Sequence, residues 1–444
     1  MKKLYSIIAA SAIFMLIPLG SVKKACGDPA HLLGSSNIRL GNDPRNGQFL
    51  SALSSMVSFN ARLSAFPQDY YYNAGAPTPS AFDTLIKNAY NKGVKVAILF
   101  EYYSSWTQYP AAGGAYSQWY SIGQAFATRF APNSSWWTAQ GISNFGVTVY
   151  QAINEPDMNT PAINATAYHD ALKGLADGIH SVNSALKVIP GGFGSANASS
   201  NYTCQGYVTA VQDLLNNGTL DGLDLHTYGS TWAPVIGGQH SAYHDFKAVK
   251  SASGITRDIN YYSTEFNYSI LNAEPSNTQI SQDAGAKYFL TQIWDQLGVV
   301  GNAGQPVTQF ALSYSAAELV SEDANFGLTQ QFTPSWVGTP RAITQQLVAQ
   351  LGSGMSWVSA DPTTKGLFIM AGAGTKLWAW QDRTGLTNTP GTSFTVTGIP
   401  TTATKLNVYG YNGFRQAITF PTGTTSRTVT GLPGNETYMF WAGN

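Results

Sequence analysis

Eight short runs rich in β-branched and aromatic residues recur between residues 38 and 314, with helical stretches between them. This alternation constrains the fold more than any other feature. Strands joined by a helix-length crossover pair in parallel, and a parallel sheet needs helices over its faces. The runs fall at 38–40, 61–66, 95–101, 147–156, 186–190, 223–226, 259–265 and 309–314. Apolar positions with a period near 3.6 mark helices over 82–92, 167–184 and 281–298, and a last one over 341–351. Eight strands with intervening helices predict an α/β fold, a (β/α)8 TIM barrel spanning 34–351. Beyond it, 352–444 carries short alternating runs separated by Gly, Pro and Thr-rich turns, the pattern of an all-β sandwich. No Pro/Ser-rich linker separates the two parts, which predicts a fixed interface.

Two of the runs end in a glutamate: Asn154-Glu155-Pro156 closes the fourth and Thr264-Glu265 the seventh. In a parallel barrel the C-terminal strand ends converge on one face, where active sites lie. A carboxyl at the end of an apolar strand is costly to bury unless it is used, so a helix cap or surface acid is the less favoured reading. Two carboxyls on one rim can divide acid/base and nucleophile roles, which is the requirement for cleaving a glycosidic bond.

Composition narrows the classes. Apolar residues are 43% of the chain, enough for a large core, while charged residues are 11% and the net charge is zero. With no basic run after the N-terminus, nucleic acid and acidic membranes are not expected as partners. Lys2 and Lys3 precede an apolar stretch from Leu4 to Val22, predicting a secretory signal over about 1–25 and a secreted or periplasmic protein. An uncleaved N-terminal anchor is the alternative. The two cysteines, Cys26 and Cys204, would be able to pair only in an exported chain that retains the first. Asn133, Asn197 and Asn201 head Asn-x-Ser/Thr triplets, which matter only in a eukaryotic secretory host.

Asn154-Glu155-Pro156, with Glu265 about 110 residues later and His226-Thr227-Tyr228 on the sixth run, resembles a known group. It is similar to clan A, the retaining glycoside hydrolases built on a (β/α)8 barrel with catalytic glutamates after strands four and seven. The resemblance covers roughly 34–351. The appended sandwich is similar to the arrangement in family 39 and its relatives in families 30, 51 and 79. The resemblance implies Glu155 as general acid/base and Glu265 as nucleophile, with a carbohydrate as the partner and no cofactor or metal. It further implies Asn154 on the sugar 2-hydroxyl, Tyr228 on the nucleophile, His226 on substrate or a neighbouring acid, and Arg62 holding Glu265 ionised. Structural alternatives are a satisfied core histidine for His226 and a rim ion pair for Arg62.

Two positions depart from the clan's pattern. Glu101 ends the third run where some families place His or a neutral group, and it is read as either a sugar contact or a partner of Arg62. Tyr314 and Ser315 end the eighth run where many relatives place a Trp, so Trp336 or Trp232 is expected to supply a sugar platform from a loop. The segment after the third run is aromatic (Tyr102, Tyr103, Trp106, Tyr109, Tyr116, Trp119, Tyr120), as is that after the second (Phe66, Tyr70, Tyr71, Tyr72). Flat rings stack on pyranose faces, though packing within the loops is an equal reading. His240 and His244 have a helical i, i+4 spacing but no evident third ligand, so no metal is expected. Trp357, Trp378, Trp380 and Trp441 are read as sandwich core or interdomain packing rather than sugar stacking. A transglycosylase using the same site and a non-catalytic carbohydrate-binding or wall-associated protein are the rival readings.

Overall fold

The computed structural model describes residues 28–39, 45–65, 79–101, 115–158, 163–194, 204–228, 241–267, 280–319, 327–332, 335–363, 366–381, 392–434 and 436–444. Eight parallel strands form the barrel: β1 (Leu33–Arg39), β2 (Asn60–Ala65), β3 (Lys95–Phe100), β4 (Val149–Ala152), β5 (Lys187–Pro190), β6 (Gly222–Asp224), β7 (Asn260–Phe266) and β8 (Thr308–Ser313). They are hydrogen-bonded in the order β5-β4-β3-β2-β1-β8-β7-β6. A parallel bridge between Phe193 and Leu225, just beyond β5 and β6, closes the ring. The surrounding helices are α1 (Arg45–Ser55), α2 (Pro79–Asn91), α3 (Ala115–Phe130), α4 (Ala165–Val182), α5 (Gln205–Ala210), α6 (Ala242–Ala252), α7 (Gln282–Leu297) and α8 (Pro340–Gly352).

The strands read as nearly continuous apolar runs because both their faces are covered; β2 and β3 are buried at every position after the first. Outward side chains pack under the helices. Inward ones, including Ala97, Ile189, Tyr262, Phe310 and Leu312, fill the barrel itself. Helix starts are fixed by side-chain caps: Asn164 accepts from the Ala167 N–H at α4, Ser241 from that of His244 at α6, and Ser281 from that of Ala284 at α7. The first strand begins at Leu33, ahead of the predicted 38–40. Gly34 and two serines disguise it in the sequence, yet Gly34 is what lets β1 lie close to β2, since a Cβ there would overlap the Asn60 carbonyl.

After β8 the chain forms an unanticipated three-stranded sheet, β9 (Ala317–Leu319), β10 (Thr329–Phe332) and β11 (Ser335–Gly338), before α8. The C-terminal part follows: β12 (Ser356–Asp361), β13 (Leu367–Gly372), β14 (Thr375–Gln381), β15 (Thr392–Thr397), β16 (Lys405–Gly410), β17 (Gly413–Thr419), β18 (Ser426–Leu432) and β19 (Thr437–Gly443). Its sheets are β12-β13-β14-β19-β16-β17 and β15-β18. The central strands of the large sheet, β14 and β19, are buried on both faces. Trp378, Leu406, Val408 and Phe440 face β15 and β18, while Phe368, Met370, Leu377 and Met439 continue the core of the barrel. Trp294 of α7 stacks on Phe368 at 6.0 Å and meets Trp357 edge-on at 6.4 Å. Polar ties add register: the Thr344 hydroxyl donates to Tyr411 O at 2.9 Å, and Gln381 Nε2 to Thr291 O at 3.1 Å. The sandwich is therefore packed onto α7 and α8 through a largely apolar interface. Trp378 lies in the sandwich core and Trp380 stacks on Phe394 at 4.7 Å.

Candidate active site

Local backbone geometry turns consecutive side chains into the barrel mouth at both glutamates. Along β4, Tyr150 packs outward and Gln151 inward. After Ala152 the chain takes left-handed conformations at Ile153 (φ 67°) and Glu155 (φ 43°). Positive φ at a β-branched residue is strained and persists only where the surroundings enforce it. Here Ile153 N–H donates to Phe100 O at 2.8 Å and Glu155 N–H to Gly192 O at 3.0 Å. Gly191 and Gly192 make room: a Cβ on the first would overlap the Ile153 carbonyl, and on the second the His226 ring. The elbow brings both Asn154 and Glu155 to the site.

At β7 a bulge does the same work. The register with β8 slips between Ser263 and Phe266. Thr264 and Glu265 thereby both reach the interior, while Phe266 turns out to stack on Phe289 at 5.5 Å. Bulges recur beside active sites for this reason.

Glu265 is held from two sides. Arg62 of β2 donates from Nη2 to Glu265 Oε1 in a buried ion pair, and the Tyr228 hydroxyl donates to Oε2 at 2.6 Å. Burial opposes ionisation of Glu265. The charges of His226 and Arg62, and the hydrogen bonds from Tyr228 and Arg62, outweigh it and hold the carboxyl below the ordinary range. Arg62 Nη1 also donates to Asn154 Oδ1 at 3.1 Å and to Thr264 Oγ1 at 2.9 Å. One guanidinium thus orients the nucleophile candidate and the asparagine beside the acid/base candidate.

Glu155 meets His226, whose Nδ1 lies 2.8 Å from Glu155 Oε1. On the other side of the ring, Nε2 lies 2.9 Å from Thr264 Oγ1, which donates its hydrogen to Asp224 Oδ2 at 2.6 Å. That network assigns a hydrogen to Nε2 and leaves Nδ1 and Glu155 sharing the remaining one. Burial pulls the His226 pKa down, but Glu265, Glu155 and Asp224 raise it above the ordinary value. Asp224 lies beneath, fully buried, and also takes hydrogen bonds from the Thr264 N–H (2.9 Å) and from Gln151. Burial raises its pKa despite the neighbouring His226 and Arg62.

One carboxylate oxygen of Glu155, one of Glu265 and a nitrogen of His226 lie within 4.8 Å of one another. Among the described residues this is the one His/acid group close enough to hold a metal, and Arg62 already neutralises part of it. Spacing and charge suit two carboxyls working on a bond placed between them.

The structure brings Asn154, Glu155, Arg62, His226, Tyr228 and Glu265 together as the sequence grouped them. Glu101 follows β3, its N–H donating to Ala65 O at 2.9 Å. Burial pushes its carboxyl up to about 7, against the lowering influence of the Arg62 charge and a hydrogen bond with Ser64; Glu265 and Glu155 add to the rise. Tyr314 faces the same mouth, receiving a hydrogen bond from Asn37 Nδ2 at 3.3 Å, with its ring 6.4 Å from that of Tyr228. Tyr103, Trp106, Trp232 and His240 lie outside the described residues, as do Cys26, the leader and Phe66 to Tyr72. Trp336 is on β11, and its side chain is outside the described set.

Tyr116, Trp119 and Tyr120 correct the aromatic-loop reading. They sit on α3, where Trp119 packs in the core against Phe100 at 6.4 Å and the Tyr116 hydroxyl donates to Asp177 at 2.7 Å. Sequence reasoning missed Gln151, Asp224, Thr264 and the Gly191-Gly192 pair. Period two held the clue for Asp224, two residues before His226 on the same face.

No family model matches the chain, and no curated protein matches it. Solved structures do. A glucosidase from Croceicoccus marinus superposes with a TM-score of 0.64 at 13% identity, covering 95% of this chain and 97% of that one. A family 39 glycoside hydrolase from the gut symbiont Bacteroides cellulosilyticus WH2 gives 0.63 at 15%, covering 94% and 82%. A family 51 α-L-arabinofuranosidase from Bifidobacterium longum gives 0.59 at 13%, covering 96% and 98%. The barrel and sandwich together therefore match the architecture of clan A glycoside hydrolases over nearly the whole chain.

Proposed function

We propose that this chain is a retaining β-glycoside hydrolase acting on an oligo- or polysaccharide by double displacement, exported behind the Lys2-Lys3 leader. The observation that carries the reading is the approach of the Glu155 and Glu265 carboxylate oxygens to within 4.8 Å at the barrel mouth, with Arg62 and Tyr228 gripping Glu265 alone. Retaining enzymes keep their carboxyls about 5–5.5 Å apart; inverting ones leave room for water.

Glu265, kept ionised by Arg62 and Tyr228, attacks the anomeric carbon. Glu155 protonates the departing glycosidic oxygen with the hydrogen it shares with His226, so the leaving group exits neutral. The glycosyl-enzyme ester removes the negative charge of Glu265, Glu155 then takes a proton from water, and the water oxygen releases the sugar with net retention. Asn154, fixed by Arg62, is placed to hold the 2-hydroxyl as charge develops on the ring.

Azide separates the two roles. With an activated aryl glycoside, Glu265→Ala should lose turnover, and azide should restore part of it with an inverted glycosyl azide as product. Glu155→Ala should lose about 10²–10⁴-fold on poor leaving groups and far less on good ones, with azide giving a retained product. Identical azide behaviour in both variants would contradict the assignment.

A further inference from the structure

Asp224 is a fully buried acid that double displacement, as derived above, does not use. It ends β6 beneath His226, and two of its partners are fixed donors. The Thr264 N–H reaches Oδ1 at 2.9 Å, and Gln151 Nε2 donates to Oδ2. The Gln151 amide is oriented by its other hydrogen, which goes to Pro190 O at 3.0 Å. The third partner is the Thr264 hydroxyl, 2.6 Å from Oδ2, and a hydroxyl can either give or receive.

The hydrogens at Thr264 Oγ1 can be counted. The atom has one hydrogen and two lone pairs. Arg62 Nη1, a donor only, takes one lone pair at 2.9 Å. One hydrogen and one lone pair remain for Asp224 Oδ2 at 2.6 Å and His226 Nε2 at 2.9 Å. The hydroxyl must give to one of these and receive from the other. An ionised Asp224 takes the hydrogen, and Nε2 then carries its own. A donor in place of Oδ2 would turn the hydroxyl towards Nε2 and drive the ring hydrogen to Nδ1, which faces Glu155 Oε1 at 2.8 Å. Arg62 Nη1 lies 3.4 Å from Nε2, but its two hydrogens go to Asn154 Oδ1 and Thr264 Oγ1. The other charges at the ring, Glu155 beyond β4 and Glu265 of β7 at 3.8 Å, both face Nδ1, and on the β5 side the ring meets the Gly192 backbone. The choice of ring nitrogen therefore passes through Thr264 to Asp224.

We propose that Asp224 is a positioning residue for the acid step: acting through the Thr264 hydroxyl, it keeps a hydrogen on His226 Nε2, so that Nδ1 is left to share a proton with Glu155. In the opposite tautomer Nδ1–H would donate to Glu155 and favour its carboxylate, which suits deprotonating water but not protonating a glycosidic oxygen. The tautomer belongs to the resting chain; its consequence for catalysis rests on the glycoside hydrolase reading.

Nitrogen-15 NMR of the full chain labelled at histidine reads the tautomer directly, with the His226→Gln spectrum identifying the signals. The native ring should carry its hydrogen on Nε2. In Asp224→Asn the Thr264 N–H claims Oδ1 and places the amide Nδ2 against the hydroxyl, so the hydrogen should move to Nδ1. Thr264→Val should do the same, because the Arg62 hydrogen it frees turns to Nε2, whereas Thr264→Ser should keep the native form. On aryl glycosides of graded leaving group, Asp224→Asn should lose about 100-fold in kcat/KM with poor leaving groups and less than about threefold with good ones. The alkaline limb of its pH profile should move to lower pH, since a negative charge beside the ring is gone. Nε2–H retained in both Asp224→Asn and Thr264→Val, or a loss equal across all leaving groups, would overturn the proposal. If Asp224→Asn does not fold, the Thr264→Val and Thr264→Ser pair decides. A tautomer change in a chain that cleaves no glycoside supports the role of Asp224 while the hydrolase reading falls; normal turnover with no tautomer change refutes that role alone.

Discussion

Replacing Arg62 by methionine tests the electrostatic design of the site directly. The Arg62 and Glu265 side chains are only 3% and 10% exposed. Removing one partner of a buried ion pair leaves the other uncompensated, at a cost of about 3–5 kcal/mol. Glu265 would keep the Tyr228 hydrogen bond and the His226 ring nitrogen at 3.8 Å, while Asn154 and Thr264 would each lose a donor. The pH dependence follows from the sign of the shift. In the native protein Glu265 titrates below its ordinary value, so it stabilises the fold above the unfolded carboxyl pKa of about 4.3 and loses that contribution as pH falls through the folded value. Without Arg62, the charge of His226 and the Tyr228 hydrogen bond remain but two of the influences that oppose burial are lost, and the pKa rises. The variant should therefore be most destabilised at pH 7–8 and recover towards pH 4, and the acid limb of its kcat/KM profile should move upward. Thermal melts at pH 5 and 8, with Arg62→Met/Glu265→Gln as the companion, read this without requiring activity. The double variant removes both buried charges and should regain most of the loss. An equal loss at both pH values, or a double variant no more stable than the single, would refute the argument.

Three further outcomes are expected. Tyr228→Phe removes a hydrogen bond to a charged group and should lower kcat/KM by about 10–100-fold while shifting the acid limb up, as pH-rate profiles will show. Glu101 has a folded pKa raised to about 7, so its contribution to stability is complete at low pH and declines as pH rises through that value; Glu101→Gln should gain on the order of 2 kcal/mol relative to the native chain at pH 8 and little at pH 4, measured by denaturant unfolding. Truncation after Leu351 would strip Phe368 from Trp294 and open the shared core, giving insoluble or strongly destabilised protein; a soluble barrel with full activity on small substrates would show the sandwich to be a detachable module.

The barrel was legible because each strand is buried on both faces and therefore written as a compact apolar run. β1 was the exception, since Gly34 and its serines serve close packing rather than burial of large side chains. The two glutamates, Asn154, His226 and Tyr228 could be grouped because each lies at or just beyond a strand end, and Arg62 joined them through its place on the second run, which resembles that of the clan's arginine. Sequence could not show how Asn154 and Glu155 both point inward, since alternation alone would send them to opposite faces. That depends on left-handed backbone at Ile153 and Glu155, given room by Gly191 and Gly192 just beyond β5. Thr264 was hidden for the complementary reason: only a bulge lets it and Glu265 share one face. Trp119 was misplaced because a helix start and an aromatic loop look alike when the same ring types fill both.

The closure of the barrel has a dynamic consequence. Seven of the eight strand junctions are ladders, whereas β5 and β6 meet through the Phe193–Leu225 bridge and bonds such as Phe193 N–H to Asp224 O and His226 N–H to Phe193 O. A seam with so few backbone bonds is the place where local opening costs least. Gly192, Glu155 and His226 lie along it, whereas Arg62 and Glu265 sit on the continuous ladder running from β2 through β1 and β8 to β7. Breathing at the seam would part the proton relay while leaving the nucleophile's grip intact, so a sugar bound across it would act as a clasp on the barrel's weakest joint.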